Sequence, residues 1–193
     1  MKTQKTLSAL LCLLLLLSFS ACSRDVPAEE RIGEIRAQYQ QSEQRFQADI
    51  TADYGEHVHQ FRLHFDSANA SIEVLSPDII AGITIALSES GTMLHFEGAV
   101  LDTGPLTEDG LSPLAALPMI VSQWKDGHIV AAHYETFHGI STVVMQTAIS
   151  DRVRKFTWFD NDTGFPIKSE LFDGGTLILT IAFEGSPLFD LHH

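Results

Sequence analysis

Histidines are the residues of this sequence that first suggest chemistry, because nine occur among 193 residues. His57 and His59 are two positions apart, so on a strand their side chains would share a face, with Glu56 adjacent and His64 on the following stretch. Zinc needs three or four converging ligands, and only the histidine pair is evident here. A solvent-facing pair on a strand is the simpler interpretation, so we predict no metal site.

The segment DNDTG, residues 160–164, has the acidic and amide residues with which a calcium loop begins. The remaining ligands of an EF-hand, including its terminal glutamate, are missing. Asn, Asp and Gly between two strands form turns through their ordinary backbone preferences. The segment therefore predicts a turn.

A catalytic set is the third possibility. His133, Glu135, His138 and Ser141 are close in sequence, and His133 and Glu135 would share a strand face. No G-x-S-x-G elbow, H-E-x-x-H motif or phosphate-binding glycine loop is present. We therefore expect no enzyme and no cofactor, with these residues as ordinary polar positions.

Cys22 is the remaining reactive residue, and it ends an apolar run. Lys2 and Lys5 precede 15 uncharged positions, 7–21, fewer than the roughly 20 residues that span a bilayer. A positive start, a short apolar run and small residues before a cut site are typical of a secretory signal.

The residues FSAC, 19–22, resemble a bacterial lipobox. That resemblance implies a diacylglycerol carrying acyl chains such as palmitate on Cys22, with cleavage before it. We predict a signal at residues 1–21, a lipidated cysteine with a short tether at 22–27, and one domain at 28–193. The alternatives are ordinary secretion after Ala21 and an uncleaved anchor. Cys12 lies in the signal, so the mature chain has no second cysteine for a disulfide.

The charge of the mature chain restricts its partners. Without the two lysines of the signal, 10 basic and 25 acidic residues remain, a net charge of −15. Such a surface repels nucleic acid and anionic headgroups. We therefore expect no nucleic acid partner, a monomer, and attachment to the extracytoplasmic face of the cell membrane through the lipid alone.

Two helices are predicted. Residues 27–43 place Ile32, Ile35 and Tyr39 on one stripe, at i, i+3 and i+7. A second helix, 112–124, places Leu114, Leu117, Val121 and Trp124 on one face, and its internal proline is expected to kink or divide it.

Period-two alternation elsewhere predicts about ten strands, five between residues 46 and 98 and five between 128 and 185. Only one face of each strand is apolar, which is typical of antiparallel sheets. The predicted fold class is α+β: one curved, mostly antiparallel half-barrel sheet covered by the N-terminal and internal helices.

This order of elements resembles the LolA/LolB-like lipoprotein-carrier superfamily over roughly residues 28–185. SPDIIAGI at 76–83 and FDNDTGFPIKSELFDGGTLILTIAF at 159–183 are the local similarities. The second is similar to the family's terminal hairpins. The resemblance implies a half-open barrel, a helical lid and an apolar cavity between them. The chain is most similar to lipid-anchored members, since a shuttling carrier must be free.

The resemblance implies that the inward strand residues line a ligand cavity beneath a lid. The expected lid residues are Ile32, Ile35, Tyr39, Leu114, Leu117 and Val121. The expected ligand-binding residues are Phe61, Leu63, Phe65, Ile83, Ile85, Leu94, Phe96, Val143, Met145, Leu177, Leu179 and Ile181. The same residues would form a dry core. The predicted function is therefore binding of a lipid or lipidated ligand, and the alternative is a non-enzymatic interaction or sensor module with a filled core.

Overall fold

The structure is a computed structural model that describes residues 26–41, 45–66, 69–88, 91–104 and 113–187. The predicted signal at 1–21, Cys22 and most of its tether lie outside these ranges. The helices are α1 (Ala28–Gln40) and α2 (Pro113–Asp126). The strands are β1 (Arg45–Asp53), β2 (Val58–Asp66), β3 (Asn69–Ser76), β4 (Thr84–Ser88), β5 (Gly91–Phe96), β6 (Ala99–Gly104), β7 (His128–Phe137), β8 (Ile140–Ala148), β9 (Val153–Asp160), β10 (Pro166–Asp173) and β11 (Thr176–Pro187).

All described strands form one antiparallel sheet in the order β6-β5-β4-β3-β2-β1-β11-β10-β9-β8-β7. The two chain halves join where β1 pairs with β11. The sheet is open, with β6 and β7 at its two edges. The predicted α+β half-barrel is confirmed, with eleven strands instead of about ten because β6 was not predicted.

Both helices bury their apolar stripes against the inner face of the sheet. Ile32, Ile35 and Tyr39 of α1 are buried, as are Leu117 and Val121 of α2. Each such side chain contributes about 1.5–3 kcal/mol through burial. Of the two effects expected of Pro118, a kink or a division, the division is wrong, because α2 continues through the proline. Proline removes a single helical hydrogen bond, and here it lies near the helix start.

Tyr39 occupies the centre of the aromatic core. Its ring centroid lies 5.3 Å from those of Phe65 and Trp124 and 5.8 Å from that of Phe159. Its hydroxyl donates a hydrogen bond of 2.9 Å to the carbonyl oxygen of Gly164. Burial raises the pKa of Tyr39 well above its ordinary value, so the hydroxyl remains a neutral donor.

The two ends of α1 are held by opposite parts of the molecule. Just before the helix, the Tyr134 hydroxyl of β7 donates to the carbonyl oxygen of Val26 at 2.8 Å. At the other end, the Gln40 amide donates to the carbonyl oxygen of Lys125 at 3.0 Å. These contacts fix α1 between edge strand β7 and the C-terminal turn of α2.

Candidate functional site: the inner face of the sheet and the cleft beside α2

Most predicted ligand-binding residues lie on the inner face of the sheet. Ile83 and Leu94 are half-buried on it. The fully buried members are Phe61, Leu63, Phe65, Ile85, Val143, Met145, Leu179 and Ile181.

Phe96 and Leu177 differ from the prediction. Leu177 is 47% exposed, because a register shift in the β10–β11 pair reverses the alternation and places it opposite Phe172. Phe96 is 38% exposed, because it ends β5 at the turn to β6, where Glu97 and Gly98 both have positive φ. Neither residue lines a covered surface formed by the described chain.

The predicted lid residues that the structure describes lie together over the inner face of the sheet, and their role as a lid stays a prediction. Ile32, Ile35, Tyr39, Leu117 and Val121 are all buried beneath their helices. The side chain of Leu114 lies outside the described part of the structure. The helices therefore cover the centre of the inner face closely.

A cleft of about 160 Å³ lies beside α2 where the helix meets the ends of β2, β3 and β4. A shallower depression of about 490 Å³ continues from it across the strand ends, next to Arg45 and Phe46. Ligand pockets usually measure roughly 300–1,000 Å³, so the cleft with α2 in place holds only part of a ligand. Its lining includes Phe65, Ala70, Leu87, Val121, Ser122 and Lys125.

A polar patch interrupts the apolar inner face on β8, β9 and β10. Lys155 is 0% exposed, and so are Thr147, Thr157 and Ser169. Thr147 lies opposite Lys155 on β8, and Ser169 lies opposite Thr157 on β10. This buried group, Thr147, Lys155, Thr157 and Ser169, is called the polar patch below.

The polar patch is held by α2 and by its own hydroxyls. The Lys155 amine donates to the carbonyl oxygen of Ile120 at 3.3 Å, and the Thr147 hydroxyl donates to the Gln123 side-chain oxygen at 3.1 Å. The hydroxyls of Thr157 and Ser169 lie 2.9 Å apart. Burial, and secondly the charge of Arg36, lower the pKa of Lys155 to about 7.

Arg36 of α1 brings a second cation to this side of the core. Its Nη2 donates to the carbonyl oxygen of Gly127 at 2.6 Å, and burial lowers its pKa while the charge of Asp126 raises it. Its Nε is buried, and no described residue accepts from it. The indole N–H of Trp124 is likewise buried without an acceptor in the described ranges.

The histidines considered for metal binding do not converge. His57 is exposed before β2 begins, whereas His59 is half-buried on the inner face and His64 is exposed on the outer one. The described residues contain no group of three or more potential ligands that could hold a metal ion.

The DNDTG segment forms the predicted turn. Asp160 Oδ1 accepts hydrogen bonds from the backbone N–H groups of Asp162 and Thr163 and from the Thr163 hydroxyl. This oxygen is therefore engaged within the turn.

Of the residues considered for catalysis, His133 and Glu135 lie close to each other. His133 Nε2 lies 3.8 Å from Glu135 Oε2, which confirms their shared face. The same carboxylate oxygen accepts a 3.2 Å hydrogen bond from the Trp158 indole. Glu135 is thus hydrogen-bonded to a tryptophan on the outer face of the sheet.

Sequence reasoning missed the polar patch and the cleft. The signal for the patch was present, since Val153, Lys155, Thr157 and Phe159 alternate with outward residues in RVRKFTWFD. Period two places the lysine on the inner face with its neighbours. The cleft had no comparable signal, because it depends on how α2 lies against three strand ends.

No protein-family model matches the sequence, and no curated protein matches it. An uncharacterised conserved protein from Thermus thermophilus has a similar structure, with 10% identity, a TM-score of 0.56, and coverage of 84% of this chain and 90% of that chain. A DUF1329 family protein from Desulfovibrio piger has 11% identity, a TM-score of 0.50, and coverage of 86% and 95%.

A LolA superfamily protein from Nitrosomonas europaea also matches, with 13% identity, a TM-score of 0.49, and coverage of 86% of this chain and 95% of that chain. At these identities the likeness concerns the fold alone. The open antiparallel sheet with two helices on its inner face is the fold that the chain has in common with the Thermus thermophilus and Desulfovibrio piger proteins. Among the described helices, none has the length and apolar character needed to cross a bilayer.

Proposed function

We propose that this chain is a lipid-anchored envelope protein that binds a lipid or lipidated ligand on the inner face of its half-barrel. The observation that carries the proposal is the cleft beside α2, which lies at the margin of an inner face whose buried side chains are apolar across β1 to β4. An acyl chain on that face would be stabilised by about 25 cal/mol per Å² of buried apolar surface.

Binding requires α2 to move, because its side chains occupy the space that a ligand needs. Val121 lines the cleft while the neighbouring Leu117 and Trp124 are fully buried. Displacing α2 would join the cleft to the centre of the inner face. The buried indole N–H of Trp124, which has no acceptor within the described ranges, would then gain access to ligand or water, and this relieves a cost of about 1–3 kcal/mol.

The anchor is proposed from the sequence. Cys22 would carry the lipid after removal of residues 1–21, on the extracytoplasmic face of the membrane. Only three residues separate it from Val26, where the described chain begins. The domain would thus remain close to the bilayer that holds it.

The experiment that tests ligand binding uses residues 22–193 with Cys22→Ser, exported behind an ordinary cleavable signal and purified without detergent. Mass spectrometry of the organic extract is expected to find a lipid at about one molecule per protein. An empty protein that also fails to take up pyrenedodecanoic acid would contradict the proposal. If protein stripped of its lipid takes up pyrenedodecanoic acid, as measured by the fluorescence of the probe, the result would support the proposal.

A second candidate, a protein-interaction module, is favoured by edge strand β6. Val100 and Leu101 are each 60% exposed, and Phe96 on the neighbouring strand is also exposed. An apolar strip along an edge strand of the described sheet is a common docking surface. A V100D/L101D variant that loses a cross-linked envelope partner but still takes up pyrenedodecanoic acid would establish this role, whereas an unchanged cross-linking pattern would exclude the strip.

A further inference from the structure

The polar patch is the feature that the proposed function leaves unexplained. An apolar ligand needs only an apolar wall, yet four polar side chains are fully buried at adjacent inward positions of β8, β9 and β10. Burying a cationic amine in a protein interior is costly unless an anion compensates it. No carboxylate of the described chain forms an ion pair with Lys155, whose acceptor is the neutral carbonyl oxygen of Ile120.

We propose that Lys155, with Arg36 and the hydroxyls of the polar patch, is a subsite for the acidic headgroup of an amphiphile, a carboxylate or a phosphate. The proposal rests on the proposed ligand-binding function and names the class of ligand. The chain of the amphiphile lies along the apolar strands and its headgroup reaches the polar patch.

The position of α2 connects this subsite to the cleft. Ile120 accepts from Lys155, and the next residue, Val121, lines the cleft. Gln123 bonds to Thr147 while its neighbour Ser122 also lines the cleft. One face of α2 thus covers the polar patch and the adjacent face forms the cleft wall. A shift of this helix frees the Lys155 amine and opens the path to it in the same movement.

The donors left over in the closed arrangement match an anion. A lysine amine has three hydrogens, and the single bond to Ile120 is a long one at 3.3 Å. Thr157 and Ser169 share one hydrogen bond between two hydroxyls, so one of the two hydrogens remains for another acceptor. Arg36 Nε is a further buried donor without an acceptor among the described residues. Carboxylate and phosphate oxygens accept from all of these groups.

The two halves of the inner face therefore complement the two parts of an amphiphile. On β1 to β4 the buried inward side chains are all apolar, whereas β8 to β10 carry the polar patch. A neutral lipid gains nothing from the cations. An acidic one exchanges the Ile120 carbonyl for a charged acceptor, which is the stronger partner.

The test compares two probes with the same chain, pyrenedodecanoic acid and pyrenedodecanol, by fluorescence titration at pH 6.5. It uses residues 22–193 with Cys22→Ser as the parent protein. We expect the acid to bind at least about tenfold more tightly than the alcohol, because hydrogen bonds to charged groups are the stronger ones. Lys155→Met is expected to reduce the preference to about twofold while leaving alcohol binding intact.

The controls separate this inference from the function on which it rests. Lys168→Met removes an outward lysine and should keep the full preference for the acid. Arg36→Gln should lower that preference in part, and it serves as the second variant if Lys155→Met does not fold by circular dichroism. Equal binding of acid and alcohol, or a preference that survives both inward variants, would overturn the inference while ligand binding stands.

Two further outcomes are informative. If neither probe binds the parent protein, the ligand-binding function fails and the subsite fails with it. If inorganic phosphate alone displaces the acid at millimolar concentration, the polar patch is a site for free anions and the headgroup assignment is wrong. A headgroup site is supported if phosphate does not displace the acid and if Lys155→Met loses the preference for the acid over the alcohol.

Discussion

The amine of Lys155 lies 3.3 Å from the backbone carbonyl oxygen of Ile120, with the side chain wholly buried between β9 and α2. This contact joins the lid helix to the wall of the half-barrel through one polar bond inside an apolar interior. It makes both the stability of the closed arrangement and its dependence on pH accessible to experiment.

The stability of the protein should rise with pH above neutrality because of Lys155. Its pKa is about 7 in the folded chain and 10.5 ordinarily, so the unfolded chain binds more protons between these values. Across that window the free energy of unfolding increases with pH by up to about 1.4 kcal/mol per unit, and below pH 7 this contribution is constant. Urea unfolding from pH 7 to 9.5 measures the slope.

Lys155→Met is the matched variant for that measurement. It should remove most of the slope and be at least as stable as the parent chain at pH 7, because an apolar side chain replaces a buried charge. A slope that is the same in both proteins would show that other groups cause it.

Tyr39→Phe should destabilise the fold modestly without altering the ring contacts. The change removes the 2.9 Å hydrogen bond to the carbonyl of Gly164 and keeps the aromatic volume. A loss of about 0.5–1.5 kcal/mol in the free energy of unfolding is expected. Chemical denaturation measures it, and Tyr39→Ala, with an expected loss of about 3–5 kcal/mol, calibrates the contribution of the ring itself.

Ser122→Trp should block the cleft without disturbing the core. Ser122 is exposed on α2 and lines the cleft, so a large side chain there would occupy the space of about 160 Å³. Uptake of pyrenedodecanoic acid is expected to fall at least about tenfold, a cost of about 1.4 kcal/mol. Thr136→Trp, exposed on β7, is the control and should bind as the parent does. Full uptake by Ser122→Trp would place the entrance elsewhere.

Cys22→Ser in the full chain should abolish lipid attachment. Metabolic labelling with a palmitate analogue is expected to mark the parent protein and leave the variant unlabelled. The variant should also retain its signal, so its mass on a denaturing gel increases by about 2 kDa, since 21 residues remain attached at roughly 110 Da each. Labelling of the variant would exclude Cys22 as the attachment site.

Elements with strong periodicity were predictable from sequence. The stripe Ile32, Ile35, Tyr39 indicated α1, and alternation indicated ten of the described strands. β6 escaped prediction because its residues AVLDTG include Asp, Thr and Gly beside the turn at Gly98, and such residues are typical of loops. Leu177 was assigned to the wrong face because a bulge cannot be read from alternation alone.

The candidate site was less predictable because it depends on tertiary contacts. Lys155 stands in an alternating strand and its direction could be inferred, but its burial requires α2 to lie over it. The cleft arises from the fit of Val121 and Ser122 against Ala70 and Leu87, which precede them by about 35 to 50 positions in the sequence. A local sequence pattern does not indicate contacts between residues so far apart in the chain.

The way α1 is held has a consequence for how the molecule faces its membrane. The helix starts beside Tyr134 and ends beside Lys125, which lines the cleft, and its 13 residues span about 20 Å. A lipid on Cys22 would tether the Val26 end within about 14 Å of the bilayer. The mouth of the cleft lies at the other end of α1, about 20 Å from the tethered end, so such a lipid would not hold the entrance itself against the bilayer.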